Sequence, residues 1–138
     1  MKSTLKWTGN RSFEATTEDG HKVSLGQAHD DSPKPGPSAM ELVLMGAGGC
    51  SAYDVVSILE KSRADVRDVT VEMEADRAEA PPKVFTRIHF HFKVTGKDLK
   101  PAQIERAIGL SVDQYCSATA MLEKTATVTH DFTEIKAD

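Results

Sequence analysis

Ser38-Ala39-Met40-Glu41-Leu42-Val43-Leu44-Met45-Gly46-Ala47-Gly48-Gly49-Cys50 is the stretch on which the fold turns. Ser38 followed three residues later by Glu41 has the form of a capping box, in which the serine oxygen and the glutamate side chain satisfy amide groups left free at a helix start. The apolar content continues to Leu59 and then gives way to Glu60-Lys61-Ser62-Arg63. The helix therefore spans about 24 residues, or about 36 Å. A segment apolar on every side cannot face water as a surface helix does, so it is a core helix or the floor of a buried interface. Gly46, Gly48 and Gly49 each cost about 1 kcal/mol relative to alanine in a helix interior. They make sense where something approaches the backbone closely, and they predict tight packing at a subunit boundary.

The flanks of this helix read as strands. Upstream, Leu5 and Trp7, then Phe13 and Ala15, then Val23 and Leu25 alternate with polar neighbours and predict a three-strand meander, with turns at Gly9-Asn10 and Asp19-Gly20. From Gly26 to Pro37 the chain is polar and carries Pro33, Pro35 and Pro37, which predicts a loop. Downstream, Val69, Val71, Met73 and Ala75 alternate with Thr70, Glu72, Glu74 and Asp76. After Pro81-Pro82, the residues Val84, Ile88, Phe90, Phe92 and Val94 take one face and Arg87, His89, His91 and Lys93 the other. An antiparallel pairing of these two strands sets acidic residues against basic ones. Asp98 and Pro101 mark the start of a helix carrying Ile104, Ala107, Ile108, Ser111 and Tyr115 at helical spacing. A short helix around Ser117 to Glu123 and a strand through Ala126, Val128, His130 and Phe132 follow. The order βββ-α-ββ-αα-β groups strands in runs rather than alternating them with helices. That order predicts an α+β fold, with helices packed on a mainly antiparallel sheet.

At 138 residues the chain suits a single domain over 1–138, which buries roughly two-thirds of the surface its unfolded chain exposes. Two cysteines without a Cys-x-x-Cys pair resemble neither a secreted disulfide framework nor a structural zinc site, so a reducing, cytoplasmic home is expected. The start, Met1 to Trp7, reads as having no apolar signal region, and no later apolar stretch is expected to reach the roughly 20 residues of a membrane span. The expectation is a soluble protein without a membrane partner. A net charge of -4 with both signs scattered excludes a basic stripe for nucleic acid.

Cys50 and Cys116 are 66 positions apart, and thiol chemistry needs a sulfur that is both shielded and reachable. The plain alternative is a pair of inert core cysteines, since free cysteine is among the most buried residue types. His89 and His91 share a strand face and can in principle share a metal, but Arg87 and Lys93 beside them oppose a cation, so a solvated face is expected. His130, between Val128 and Phe132, reads as a hydrogen-bonded core histidine. Phe85, Phe90, Phe92 and Met73 read as core, and would also serve as the apolar wall of a ligand pocket.

The element order, the proline-rich loop leading into Ser38-Ala39-Met40-Glu41-Leu42, the Ala47-Gly48-Gly49-Cys50 ending and Tyr115-Cys116-Ser117 together resemble the OsmC-like family of organic-hydroperoxide-resistance (Ohr) proteins. The likeness spans nearly the whole chain. Gly49-Cys50 and the following Asp54-Val55-Val56-Ser57-Ile58-Leu59 are most similar to its YhfA-type branch. The resemblance implies an intertwined homodimer with a long central helix and a thiol-based peroxidase with no metal or organic cofactor. Its substrate would be an organic hydroperoxide or another apolar small molecule, and its reductant an external dithiol.

Cys50 matches the peroxidatic cysteine of that family and Cys116 the resolving one. The thiolate attacks the O–O bond and becomes a sulfenic acid, which the second thiol converts to a disulfide if the two Cα atoms come within roughly 4.4 to 6.8 Å. Two positions depart from the family pattern. The peroxidase branches carry an activating glutamate ten residues before the reactive cysteine, where this chain has Met40, and the carboxylate is Glu41. They also bring an arginine to the sulfur, whereas the cations upstream here include Arg11 and Lys34, and a lysine lacks the planar fork of an arginine. Along a straight helix nine residues rise about 13.5 Å and end half a turn off, so Glu41 cannot reach Cys50 of its own helix. Any catalytic part for Glu41 is then played across a dimer or through a broken helix. The competing reading of the whole chain is a non-enzymatic dimer of the same fold that holds an apolar small molecule or senses redox state.

Overall fold

The N-terminal alternation folds into the expected meander in the computed structural model, which describes residues 1–27 and 31–138. Strands β1 (Ser3–Gly9), β2 (Ser12–Thr17) and β3 (Lys22–Gly26) pair antiparallel in sequence order. Both turns use backbone that glycine and asparagine tolerate, with φ of +111° at Gly9, +48° at Asn10 and +95° at Gly20. The register sets Leu5, Ala15 and Val23 abreast, and Trp7, Phe13 and Leu25 abreast. One face of the sheet is therefore apolar, yet Leu5 and Trp7 are 58% and 65% exposed. Of the loop expected from Gly26 to Pro37, residues 28–30 lie outside the described residues. Its far end returns to β3, where the Gly26 amide donates to the Pro37 carbonyl at 3.1 Å. Contacts gather Met1–Val43 into one compact unit and Leu44–Asp138 into a second.

Helix α1 (Ala39–Lys61) starts at the capping box and runs 23 residues, close to the expected length. By length and composition alone it is long and apolar enough to cross a membrane, which the count of apolar residues in the sequence did not anticipate. Its buried residues Ala47, Gly48, Ser51, Val55 and Leu59 form a stripe spaced by about four, so the helix has a definite inner side. Small residues dominate the start of that stripe. A Cβ on Gly48 would overlap the Met73 thioether of β4, whereas Cβ atoms on Gly46 and Gly49 would meet nothing within 4 Å among the described residues. Close approach thus explains Gly48 inside the chain itself, and leaves Gly46 and Gly49 facing open space.

The second unit is built on β4 (Asp65–Arg77), β5 (Phe85–Lys97) and β6 (Thr127–Lys136), in the order β4-β5-β6. β4 and β5 are antiparallel, while β5 and β6 are parallel. A parallel neighbour requires a crossover of a dozen or more residues, here supplied by α2 (Pro101–Leu110), a π-helical turn (Ser111–Tyr115) and α3 (Ser117–Leu122). Central β5 buries Phe85, Ile88, Phe90, Phe92 and Val94, with the Phe90 and Phe92 ring centroids 6.3 Å apart. These aromatics are core, not pocket wall. Phe85 rather than Val84 takes the inner face because the register slips between Asp76 and Arg77, which inserts one residue and breaks the strict alternation. Tyr115 likewise leaves the inner side of its helix and is 56% exposed, because the wide π turn shifts the phase after Ser111.

The outer face of the β4–β5 ladder carries the expected opposite charges: Arg87 donates to Asp76 at 2.7 Å and Lys93 pairs with Glu72. His89 and His91 are less solvated than expected. Both bond to Oδ1 of Asp131 on β6, at 2.9 and 2.6 Å, and His91 and then His89 hold that carboxyl below the usual range. His130 is half-buried between Val128 and Phe132 rather than sealed in the core.

At Gly96 a Cβ would run into the Asp65 carbonyl and the Leu99 side chain. Gly96→Ala should therefore destabilise the protein by about 1–3 kcal/mol, because a backbone neighbour cannot rotate away. Urea unfolding should show a lower midpoint with an unchanged slope.

Candidate functional site

Cys50 lies on the inner half of α1, half-buried, one residue before the fully buried Ser51. Cys116 reaches the same place from the far end of the crossover. The π turn closes with the Cys116 amide donating to the Ser111 carbonyl at 2.7 Å, and the backbone then becomes extended at Cys116 (φ -74°, ψ 103°) before α3 begins. A cysteine thus stands where serine, threonine, aspartate or asparagine usually caps a helix. Its sulfur accepts from the Thr119 amide at 3.4 Å and the Thr119 hydroxyl at 3.0 Å, and its thiol points to the Ala47 carbonyl of α1 at 4.0 Å.

The two sulfurs lie within 4.8 Å of each other, and neither is in a disulfide. Their environments differ. Cys116 is 2% exposed, and that burial pushes its thiol up from the ordinary range, with the Thr119 hydrogen bonds opposing the rise and Cys50 adding to it. A raised, sealed thiol is poorly suited to attack first and well placed to attack a neighbour later. The partly open sulfur is Cys50.

A carboxylate that the sequence did not single out completes the cluster. An oxygen of Asp54, one helical turn after Cys50, also lies within 4.8 Å of both sulfurs. Ser111 donates to Asp54 Oδ2 at 3.0 Å, and Ser51 and Ser111 hydroxyls meet at 3.0 Å although both residues are fully buried. Since Ser111 donates to Asp54, the Ser51 hydroxyl donates to Ser111, which leaves each hydroxyl paired. The i, i+4 spacing from Cys50 was the available signal for Asp54. Nothing local marks the Ser51–Ser111 pair, whose members are 60 residues apart.

Glu41 has other partners. The Ser38 amide donates to its Oε1 at 3.0 Å, its own amide donates to Ser38 Oγ at 3.2 Å, and Lys34 pairs with the same carboxylate. Lys34 above all, then Ser38, hold the Glu41 carboxyl down to about 2. Lys34 is thus engaged by Glu41. Arg11 lines a cavity of about 340 Å³ with Asn10, Phe13, Leu25, Gly26, Gln27 and Ala39.

The comparisons with known proteins agree with one another. The family model described as OsmC-like protein matches residues 29–131. Protein YhfA of Escherichia coli strain K12 is 45% identical over 138 residues, covering 99% of this chain and 100% of that protein. Among solved structures, a hypothetical protein from Aquifex aeolicus VF5 superposes with a TM-score of 0.88 at 26% identity, over 99% of this chain and 97% of its own. An organic hydroperoxide resistance protein OsmC from Legionella pneumophila shares the fold, with a TM-score of 0.68 at 15% identity over 96% of this chain and 97% of its own.

Two measurements follow from the site's electrostatics. Thr119→Val removes a hydroxyl donor to the Cys116 sulfur, so that thiol should move further up and react more slowly with iodoacetamide at a fixed pH than in the parent chain. Glu41 has a depressed carboxyl, so its contribution to the cap is present above the ordinary carboxylate range and is lost as pH falls through about 2. The stability difference between the parent and Glu41→Gln should therefore shrink as pH falls from about 5 to about 2, which urea unfolding at stepped pH will show.

Proposed function

The chain belongs to the OsmC-like protein family, and from that premise we propose that it is a cysteine-based reductase of organic hydroperoxides. One observation carries the proposal: two free thiols within 4.8 Å, one partly open and one sealed. The Cys50 thiolate attacks the outer oxygen of a hydroperoxide. The O–O bond breaks, the alkoxide takes a proton and leaves as an alcohol, and Cys50 becomes a sulfenic acid. The Cys116 sulfur then attacks the Cys50 sulfur and expels water. The pair closes from within 4.8 Å to the roughly 2.05 Å of a disulfide, and an external dithiol restores both thiols in two exchanges. No metal or organic cofactor takes part. A reducing compartment such as the cytoplasm suits a cycle that must return to free thiols.

The working unit of this proposal is a homodimer. Leu5 and Trp7 on the N-terminal sheet, and Met45 and Tyr53 on α1, are 58%, 65%, 49% and 75% exposed. Apolar faces of that kind are covered when a second copy packs on them. Gly46 and Gly49, open within the chain, admit a close neighbour there. Glu41 enters the proposal as a carboxylate acting on the thiol of the neighbouring chain.

Mass spectrometry after one equivalent of cumene hydroperoxide should find an intramolecular Cys50–Cys116 disulfide, and turnover should persist with excess dithiol. Two thiols left intact would reject the peroxidase, and a disulfide without turnover would make the protein a sensor. Cys50→Ser should abolish peroxide consumption, while Cys116→Ser should complete one turnover and accumulate sulfenic acid. Equal residual activity in the two variants would sink the assignment of Cys50 as nucleophile. Sedimentation at micromolar concentration should give the mass of two chains, shifted toward one chain by Trp7→Glu. In mixed dimers of Glu41→Gln with Cys50→Ser chains, the one intact sulfur faces the one intact Glu41, and its rate should match the parent's. A rate as low as that of the Glu41→Gln homodimer would confine Glu41 to the helix cap.

A further inference from the structure

We propose that Cys50, Asp54 and Cys116 form a binding site for one zinc-class divalent cation per chain, which masks both thiols while bound. The inference does not rest on the peroxidase reading, although ion and peroxide would compete for Cys50.

The donor atoms are already gathered, since both sulfurs and an Asp54 oxygen lie within 4.8 Å of one another. Around a tetrahedral zinc ion, bonds of about 2.3 Å to sulfur and about 2.0 Å to oxygen put the sulfurs about 3.8 Å apart and sulfur to oxygen about 3.5 Å apart. The cluster therefore needs to close by about 1 Å, within the reach of small side-chain rotations at half-buried Cys50 and Asp54.

Three further features favour an ion at this place. Cys50 and Asp54 share one face of α1 at i, i+4 spacing, so two ligands come from one rigid element and the third from the end of the π turn. The ligands are supported from behind: Ser111 holds Asp54 by Oδ2, and Thr119 gives two hydrogen bonds to the Cys116 sulfur. Such outer partners orient ligands and stabilise them in their bound, anionic form. Finally, binding exchanges the two thiol protons for one M²⁺ ion, whose charge offsets the thiolates formed beside Asp54. The sulfur-rich set selects zinc, cobalt or cadmium over magnesium and calcium. Three protein ligands leave a fourth position for water, on the side where Cys50 is partly open.

The test uses the full-length, tag-free chain with both thiols reduced. Equilibrium dialysis against zinc should retain one ion per chain, and cobalt(II) should give the visible spectrum of a tetrahedral thiolate site. Magnesium should not compete. Cys50→Ser and Cys116→Ser should each weaken zinc binding by at least about 100-fold, and Asp54→Asn and Ser111→Ala by about 10-fold. Circular dichroism of each variant checks folding. The zinc-loaded chain should be alkylated at Cys50 at least about tenfold more slowly than the metal-free chain, and a chelator should restore the rate. Absence of stoichiometric zinc on the reduced parent chain would overturn the proposal. So would binding that survives Asp54→Asn unchanged and vanishes in His89→Ala, which would move the ion to the His89–Asp131–His91 group. Zinc binding together with no peroxide turnover by the metal-free, reduced chain would reject the peroxidase and leave this site standing. Peroxide turnover without zinc would do the reverse.

Discussion

Everything at the cysteine pair depends on how closely the backbone of α1 approaches its neighbours. Ala47, Gly48 and Ser51 begin the buried stripe of that helix, and between them they present almost no side chain. A larger residue at Gly48 would meet the Met73 thioether of β4 and push that side chain aside. The small side chains also leave the Ala47 carbonyl within 4.0 Å of the Cys116 sulfur and let the Ser51 hydroxyl meet Ser111 at 3.0 Å. Three glycines weaken a helix by about 1 kcal/mol each when judged by propensity alone. At Gly48 that cost is set against the close seating of the Met73 thioether on the helix backbone.

Within this frame the two sulfurs are made unequal by geometry rather than by residue type. Cys116 is sealed at the head of a short helix, bonded by Thr119 and raised by burial. Cys50 shares its helical face with Asp54, in contact with a polar chain that continues through Ser111 to Ser51. Buried hydroxyls of this kind must be fully paired to avoid a desolvation penalty of about 1–3 kcal/mol each, and here they are paired with one another and with the carboxylate. The polar chain therefore fixes the position of Asp54, and with it the charge next to the thiols.

Local chemistry was the part most legible in the sequence. The capping box at Ser38 and Glu41, the Gly9-Asn10 and Asp19-Gly20 turns, and the acidic-against-basic ladder of β4 and β5 each rest on neighbours in the chain or on simple alternation, and each stands in the structure. The cysteine pair was legible through resemblance alone, because 66 intervening positions carry no distance information. Features that break a period stayed hidden. The slip between Asp76 and Arg77 moved Phe85 inward, and the π turn moved Tyr115 outward, because an inserted residue leaves no mark in composition. Asp54 was hidden differently: within an apolar helix it read as part of a family signature, and its meeting with Ser111 depends on a fold that only tertiary packing creates.

The π turn has a consequence for how such chains diverge. Its widened ring, closed by the bond from the Cys116 amide to the Ser111 carbonyl, accommodates one residue more than an α-helical turn would. A single-codon deletion between Ser111 and Tyr115 would let that ring tighten to an ordinary helical turn, with the next residue bonding back to Ser111 from the same side. Cys116 would then keep its place beside Ala47 and Cys50, whereas the same residues wound as an α-helix with no deletion would turn it away by about 100°. A lineage can thus shed one residue here and keep its thiol couple, with the two cysteines one position closer in the sequence.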